Sequence, residues 1–299
     1  MDAGSRGGAG MRVLILGGDG MLGHRLLRHF SPGHETRVTL RRSLADYSRF
    51  GLFNRENAFE RMDVRDAERI AAVVSDFGAA AVINATGIVK QRPEAHEIEI
   101  SNEVNALFPH RLAHICRANA ARLIHLSTDC VFSGEKGNYR ESDRPDPVDL
   151  YGQTKLQGEV DAPGAITLRT SMIGPELDRK TGLVEWFLTQ KGKTVNGYRK
   201  AVFSGFTTSE LARIIEQLVT RHPDAHGLYH ASSAPISKFD LLTRLNRKLG
   251  LGVTIVPDDS VKCDRSLDSA RFRKTFGYSP PAWDTMLDEL ASDILKGTS

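Results

Sequence analysis

The chain has 299 residues, of which 40 are Lys or Arg and 37 are Asp or Glu, so its formal net charge is +3. That balance argues against a protein built to bind nucleic acid or an anionic membrane surface. A small anionic ligand is still allowed, because it needs only a local cluster of positive charge. The length suffices for one large α/β domain with a smaller lobe.

The three cysteines, Cys116, Cys130 and Cys263, are far apart in the sequence. This spacing fits a reducing compartment and gives neither a disulfide framework nor a structural zinc site. The ten histidines show no metal-ligand spacing, so no metal site is predicted. No apolar run approaches the roughly 18 residues that span a bilayer. Residues 1–10 lack a signal-peptide hydrophobic region and are expected to be a disordered leader of a cytoplasmic protein.

The first predicted strand, residues 12–16, leads into a glycine-rich turn and then into an amphipathic helix. Strand, glycine turn and helix form the context in which a dinucleotide is bound. The glycines let the backbone approach a pyrophosphate, whose charge is favoured at the helix N-terminus. The predicted cofactor-binding residues of this turn are Gly17, Asp19, Gly20, Met21, Leu22 and Gly23.

The second predicted strand, residues 36–40, ends in Arg41 and Arg42. An acidic residue at this point would bind the adenosine ribose and favour NAD, whereas two arginines suit a 2′-phosphate. Solvated surface charge is the alternative interpretation of the same pair.

Strand and helix patterns alternate through the first half of the chain, which predicts a doubly wound parallel sheet of the Rossmann type. Strands are expected at residues 79–85, 123–127 and 166–169, with a helix at 104–119. Another helix carries Tyr151, after a loop with two prolines.

Tyr151 and Lys155 are four residues apart, which places both side chains on one face of a helix. An ammonium beside a phenol favours the phenolate and makes the phenolic proton easier to move. Thr128 follows the strand at 123–127, where its hydroxyl can hold a carbonyl oxygen. The sequence therefore predicts Thr128, Tyr151 and Lys155 as catalytic residues.

The second half of the chain is less regular. Helices are expected at 182–190, after a capping box at Thr207, and between Ser237 and Gly250. The stretch 194–206 is predicted to be extended, and a strand at 228–231 is predicted to rejoin the main sheet. We therefore expect a dinucleotide-binding domain at 11–170, rejoined by about 201–231. The remaining segments, 171–200 and 232–299, would form a discontinuous substrate-binding lobe.

Five segments together resemble the extended short-chain dehydrogenases/reductases: residues 17–23, 84–87, 127–134, 151–155 and 168–171. Within that group the chain is most similar to the dTDP-4-dehydrorhamnose reductase family. The resemblance implies NADP(H) as cofactor, with NAD(H) left open.

The resemblance also implies roles for individual residues. Asn105 corresponds to an asparagine that supports the lysine, with an ordinary helix-surface amide as the alternative. Arg265 lies in a segment similar to the reductases' substrate cleft, although the proline that follows the arginine in the family is absent. Further cofactor contacts are expected at Asp63, Val64, Ala85, Thr86, Gly87, Lys155 and Arg169, and substrate contacts at Lys90, Asp129, Val131, Phe132 and Arg265.

The function implied is NADPH-dependent reduction of a nucleotide-diphosphate 4-keto-6-deoxy sugar, in the synthesis of cell-surface polysaccharide precursors. Cys130 stands where related dehydratases have a glutamate, which argues against dehydration. Two alternatives stay open: an epimerase that keeps NAD bound, and a non-catalytic regulatory subunit like that of methionine adenosyltransferase. The base and the sugar stay open as well, and so does a homodimer.

Overall fold

The computed structural model describes residues 10–89 and 97–297. Its strands are β1 (Arg12–Leu16), β2 (Glu35–Thr39), β3 (Ala58–Phe59), β4 (Ala81–Asn84), β5 (Arg122–Leu126), β6 (Ala165–Arg169), β7 (Met172–Ile173), β8 (Thr194–Tyr198), β9 (Ala201–Phe203), β10 (Phe206–Thr207), β11 (Gly227–His230), β12 (Ile236–Ser237), β13 (Thr254–Asp258) and β14 (Cys263–Asp264). Its helices are α1 (Gly23–Phe30), α2 (Ala67–Phe77), α3 (Ile98–Ser101), α4 (Phe108–Ala118), α5 (Leu150–Gln157), α6 (Leu183–Leu188), α7 (Thr208–Arg221), α8 (Lys238–Leu249), α9 (Ala270–Phe276) and α10 (Trp283–Leu295).

Seven strands form one parallel sheet in the order β11-β6-β5-β4-β1-β2-β3. Every residue of β5 and β6 is buried, as expected for strands covered on both faces. In β1 the side chains alternate, with Val13 and Ile15 in the core on one face and Leu14 and Leu16 in the core on the other. The predicted doubly wound α/β fold is confirmed.

The strand order reverses beside β1, which has β2 on one side and β4 on the other. In open α/β sheets, ligands bind beyond the carboxyl ends of the strands at such a reversal. The glycine turn after β1 and the segments after β2 and β4 meet at this point.

The predicted strand at 228–231 is confirmed as β11, which pairs in parallel with β6. The predicted extended stretch at 194–206 contains β8, β9 and β10, of which β8 pairs with β13. Thr207 and Ser237 cap α7 and α8 through their side-chain oxygens, and Gly250 ends α8 with φ of 62°. The division into two domains at the predicted boundaries stays a prediction, and nearly all of the leader, residues 1–9, lies outside the described residues.

One predicted helix contains a π-helical turn. Residues 104–119 are predicted to be a helix, and they are helical as far as Ala118. The end of a π-helical turn, Asn102–Leu107, leads directly into α4. Within the described ranges, no helix combines the length and the hydropathy needed to cross a membrane.

Candidate active site and cofactor cleft

A cleft of about 320 Å³ opens at the carboxyl ends of β1, β2 and β4. It is the place that the strand order predicts for a ligand. The predicted cofactor residues that line it are Gly17, Asp19, Gly20, Arg41, Asp63, Val64, Ala85, Thr86 and Gly87.

The glycine turn is held in a tight shape by short contacts. The Gly17 N–H donates to the Thr39 hydroxyl at 3.1 Å, and the Gly20 N–H donates to the Gly17 carbonyl at 3.0 Å. A Cβ on Gly23 would lie 2.0 Å from the Gly17 oxygen, so α1 can pack against the turn only with a glycine there. Met21, Leu22 and Gly23, all predicted to contact the cofactor, are not among the residues that line the cleft. Leu22 instead belongs to the core, so it supports the turn from behind.

The two arginines after β2, Arg41 and Arg42, have different surroundings. Arg41 lines the cleft, whereas Arg42 forms an ion pair with Asp178 and lies 4.9 Å from the centre of the Tyr47 ring. Arg49 pairs with the same carboxylate. The structure therefore brings Arg41, and not Arg42, to the lining of the cleft.

The far wall of the cleft is fixed by two buried asparagines. Asn84 at the end of β4 accepts hydrogen bonds from the Thr86 N–H at 3.2 Å and the Thr86 hydroxyl at 2.6 Å. Asn105 accepts from the Ile88 N–H at 2.9 Å and donates to the Ile88 carbonyl at 3.0 Å. It also donates to the Thr154 hydroxyl at 3.2 Å. Asn105 is therefore buried rather than a surface amide, and it joins the cleft wall to α5.

Helix α5 carries the predicted catalytic tyrosine. Asp149 begins it by accepting the Gly152 N–H at 2.8 Å. A Cβ on Gly152 would lie 2.3 Å from the Cys130 carbonyl, so the glycine beside Tyr151 allows α5 to approach the turn at 129–131. That approach brings Tyr151 close to the Thr128 side chain and to Cys130. Two of the three predicted catalytic groups are thus neighbours.

The protonation behaviour of this site is set by desolvation. The pKa of Tyr151 is raised, first because its hydroxyl is desolvated and then because Cys130 lies close, while the neighbouring Thr128 side chain acts in the opposite direction. The pKa of the buried Lys155 is lowered to about 8 by desolvation. Its Nζ donates to the Leu126 carbonyl at 2.6 Å. The predicted lowering of the tyrosine pKa by the lysine is not seen, because desolvation and the nearby Cys130, Asp129 and Asp149 all raise this pKa.

Three residues that are predicted to contact cofactor or substrate have side chains that bind or pack against other parts of the protein. Arg169 is buried and holds Glu159 through two hydrogen bonds of 2.7 Å, so it does not line the cleft. Val131 and Phe132 have fully buried side chains in a small cluster with Tyr139, and their predicted contact with substrate stays a prediction. These residues support the site through packing.

Arg265 reaches the turn that follows β5. Its Nε donates to the Phe132 carbonyl at 2.8 Å, and its Nη1 lies 3.6 Å from the Cys130 Sγ. Asp129, in the same turn, is buried and accepts from the Thr128 hydroxyl at 3.3 Å. The structure therefore brings Arg265 to the turn that follows Thr128, and Asp129 to Thr128 itself. Lys90 lies outside the described residues.

Several residues that line the cleft were not predicted from the sequence. Arg65 donates to the Asp63 Oδ2 from its Nη2 at 2.6 Å and from its Nε at 3.0 Å. Its position two residues after Asp63 could have indicated that it pairs with this carboxylate. Arg179 comes from the second half of the chain, and no motif marks it. The others are Thr39, Met62, Ile88, Ile100 and Val104.

A family model described as the RmlD substrate binding domain matches residues 11–295. The chain belongs to this family. The predicted resemblance is thereby confirmed. Among curated relatives, the chain is 23% identical to a dTDP-4-dehydrorhamnose reductase of Aggregatibacter actinomycetemcomitans over 93% of this chain and 98% of that protein. It is 30% identical to methionine adenosyltransferase 2 subunit beta of Bos taurus, over 56% of this chain and 48% of that protein.

Solved structures show the same fold. The dTDP-4-dehydrorhamnose reductase of Bacillus anthracis in complex with NADP has a TM-score of 0.78 at 18% identity, covering 95% of this chain and 99% of that one. The Bordetella bronchiseptica enzyme WbmG in complex with NAD and UDP also has a TM-score of 0.78, at 20% identity, covering 99% of this chain and 97% of that one.

Proposed function

We propose that this chain is an NADPH-dependent reductase of a nucleotide-diphosphate-linked 4-keto-6-deoxy sugar. The observation that carries the proposal is the closeness of the Tyr151 and Thr128 side chains. Tyr151 lies on α5, the helix that Asn105 joins to the cleft wall. The chain is an NAD(P)-dependent oxidoreductase of the short-chain type, and its family and its full-length reductase relative support that class of reaction.

The residues of the cleft fit a dinucleotide. The glycine turn has no side chain at Gly17 and Gly20, both of which line the cleft, so a pyrophosphate can approach the backbone. Arg41 would bind the 2′-phosphate, and Asp63 would face the adenine edge. NADP(H) is therefore the proposed cofactor, with NAD(H) as the alternative, and bound NADPH would supply the hydride.

Side chains of this protein would donate the proton that the reduction requires. The pKa of Tyr151 is raised, so its hydroxyl stays protonated at neutral pH and can donate to the developing alkoxide. Thr128 would hold the same oxygen through its hydroxyl. Lys155 is charged below about pH 8, which would favour the phenolate that remains after proton transfer. General acid catalysis of this kind contributes about 10²–10⁴-fold.

The substrate would lie beyond Thr128, towards Arg265. A guanidinium can bind a diphosphate through paired hydrogen bonds. The complex of WbmG with UDP supports a nucleotide diphosphate on this fold. We extend the proposal to the synthesis of cell-surface polysaccharide precursors, with either a dTDP-linked sugar or a UDP-linked acetamido sugar as substrate.

A panel of 4-keto nucleotide sugars, incubated with the protein and NADPH, tests this function. We expect one member to oxidise NADPH in a 1:1 ratio, and we expect Tyr151→Phe to abolish that oxidation. Turnover of a sugar without net NADP⁺ production would instead show an epimerase.

The relationship to methionine adenosyltransferase 2 subunit beta favours a second function, that of a dinucleotide-binding regulatory subunit. Binding of NADPH without turnover of any sugar in the panel would support it, as would co-purification with a larger catalytic chain.

A cytoplasmic location and a homodimer are also part of the proposal. The three free cysteines fit a reducing compartment, and sedimentation of the purified protein would reveal a dimer.

A further inference from the structure

Residues 176–182, which we name the strap, run from the second lobe to the mouth of the cofactor cleft. The Glu176 carboxylate closes the strap on itself by accepting the Thr181 N–H at 2.6 Å and the Gly182 N–H at 2.7 Å. Gly182 lies directly against the glycine turn, since a Cβ there would be 2.8 Å from the Met21 Cε. One end of the strap is thus packed against the phosphate-binding turn.

The middle of the strap is held by two arginines from the segment that follows β2. Asp178 forms ion pairs with Arg42 and Arg49, both of which follow β2. A residue fixed in this way loses little conformational freedom when it binds a ligand, so more of its interaction energy appears as affinity. Arg179, the next residue, is therefore presented to the cleft from an anchored segment.

Arg179 lines the cleft together with Gly17 and Gly20. Its Nη2 is 3.9 Å from the Asp19 carboxylate, which is an ion pair but is longer than a hydrogen bond. Asp19 also accepts the Tyr47 hydroxyl at 2.7 Å. The guanidinium therefore lies beside the turn without a tight grip on its carboxylate partner.

Asp19 creates an electrostatic problem for an anion. A diphosphate at the glycine turn would meet the Asp19 carboxylate, and like charges this close repel. In the described part of the chain, three arginines line the cleft: Arg41 after β2, Arg65 on Asp63, and Arg179 beside the glycine turn. Arg179 is the one placed to offset the charge of Asp19 and to offer paired donors to phosphate oxygens.

We propose that Arg179 binds the diphosphate of the dinucleotide, so that the second lobe supplies a ligand to the cofactor. This inference rests on the proposed function, because it assumes that the cleft holds a dinucleotide. It differs from the role of Arg41, which concerns only the 2′-phosphate. Loss of Arg179 should therefore weaken NADPH and NADH equally, whereas loss of Arg41 should weaken NADPH alone.

Calorimetric binding of NADPH, NADH and adenosine 2′-monophosphate to the full chain tests the proposal. The third ligand carries the 2′-phosphate but no diphosphate. Arg179→Gln should weaken both dinucleotides about tenfold, as expected for a lost charge-assisted hydrogen bond, and leave the monophosphate within twofold of wild type. Arg179→Lys should recover part of the loss. Lys180→Gln is the matched control, since it removes one positive charge from the same strap without touching the lining of the cleft.

Each outcome separates the two proposals. If wild type and Arg179→Gln bind both dinucleotides equally, the role of Arg179 is overturned while the proposed function stands. An equal loss for Lys180→Gln, or an equal loss of the monophosphate, would likewise overturn it, because the effect would then be long-range charge or an effect on the adenosine end. If wild type binds none of the three ligands, the proposed function fails and the inference fails with it. Thermal unfolding of each free variant shows whether a loss of binding reflects a loss of folded protein.

Discussion

The proposed cofactor cleft and the catalytic corner, by which we mean the proposed catalytic residues Thr128, Tyr151 and Lys155, are built in opposite ways. The cleft is an open groove lined by glycine backbone and by arginines that pair with nearby carboxylates. The catalytic corner is closed: Thr128 and Lys155 are buried, and only Tyr151 keeps partial exposure. Affinity should therefore depend on charge in the first region, while chemistry should depend on desolvation in the second.

The largest effect is expected from the catalytic corner. Tyr151→Phe removes the proposed general acid beside Thr128, so turnover should fall by at least about two orders of magnitude while NADPH affinity is kept. Single-turnover NADPH oxidation measures the first quantity and calorimetry the second. Tyr139→Phe is the matched control, because that buried phenol serves backbone N–H groups of Gly134 and Lys136 and lies outside the catalytic corner. A turnover close to wild type in Tyr151→Phe would contradict the distinction between the two regions.

The next largest effect is expected on cofactor affinity, from the arginines of the cleft. Arg41→Ala should weaken NADPH by about 10- to 100-fold and leave NADH almost unchanged, because charge-assisted hydrogen bonds are worth roughly 1.5–3 kcal/mol. Arg42→Ala should cost only a few-fold, since Asp178 already holds that guanidinium. Dissociation constants for both cofactors check this order. Equal losses in the two variants would show that Asp178 releases Arg42 to the cofactor.

The pH dependence sharpens the contrast. The pKa of Lys155 is lowered to about 8 by burial, so the ammonium is present below that pH and is lost above it. We expect kcat/KM, which reports the free enzyme, to fall about tenfold per pH unit above pH 8. Lys155→Arg keeps its charge across this range and should remove the falling limb, even if it is slower. A flat wild-type profile up to pH 9.5 would mean that the lysine charge has no catalytic role.

The smallest effect is expected from Arg265, which is proposed to bind the substrate. Arg265→Ala should raise KM for the nucleotide sugar a few-fold while NADPH affinity stays the same, because Arg265 contacts the turn that follows β5 and does not line the cofactor cleft. Arg199→Ala provides a control, as that arginine is exposed and pairs with Asp259, away from both regions. An unchanged KM would remove Arg265 from the substrate site.

The cleft could be predicted from the sequence better than the residues around the catalytic corner. The glycine turn and Arg41 lie within about 30 residues of one another and follow strands with clear hydrophobic patterns, so local chemistry fixes their position. Arg169 follows an equally clear strand, yet its partners are Glu159 and His230, the second of them 61 residues away. Such a partner comes from tertiary packing, which a single sequence does not reveal.

The same limit explains Arg42 and Phe132. Nothing local distinguishes Arg42 from Arg41, and the choice between them depends on Asp178, which lies 136 residues further along. Phe132 belongs to a motif typical of the family, but its side chain stacks on Tyr139 with the ring centres 4.2 Å apart. The motif indicated the site, while the direction of each side chain depended on contacts that the motif does not contain.

The π-helical turn at Asn102–Leu107 limits how the length of this segment can change. Such a turn holds one residue more than a regular helix, and each helical residue rotates its side chain by about 100°. With that extra residue in place, Asn105 faces Ile88 and Thr154 while Phe108 and Leu112 face the core. Deleting or inserting one residue here would turn either the amide or the apolar side chains away from their partners. Relatives that share this site should therefore differ here by substitution, and should place their insertions and deletions in surface turns.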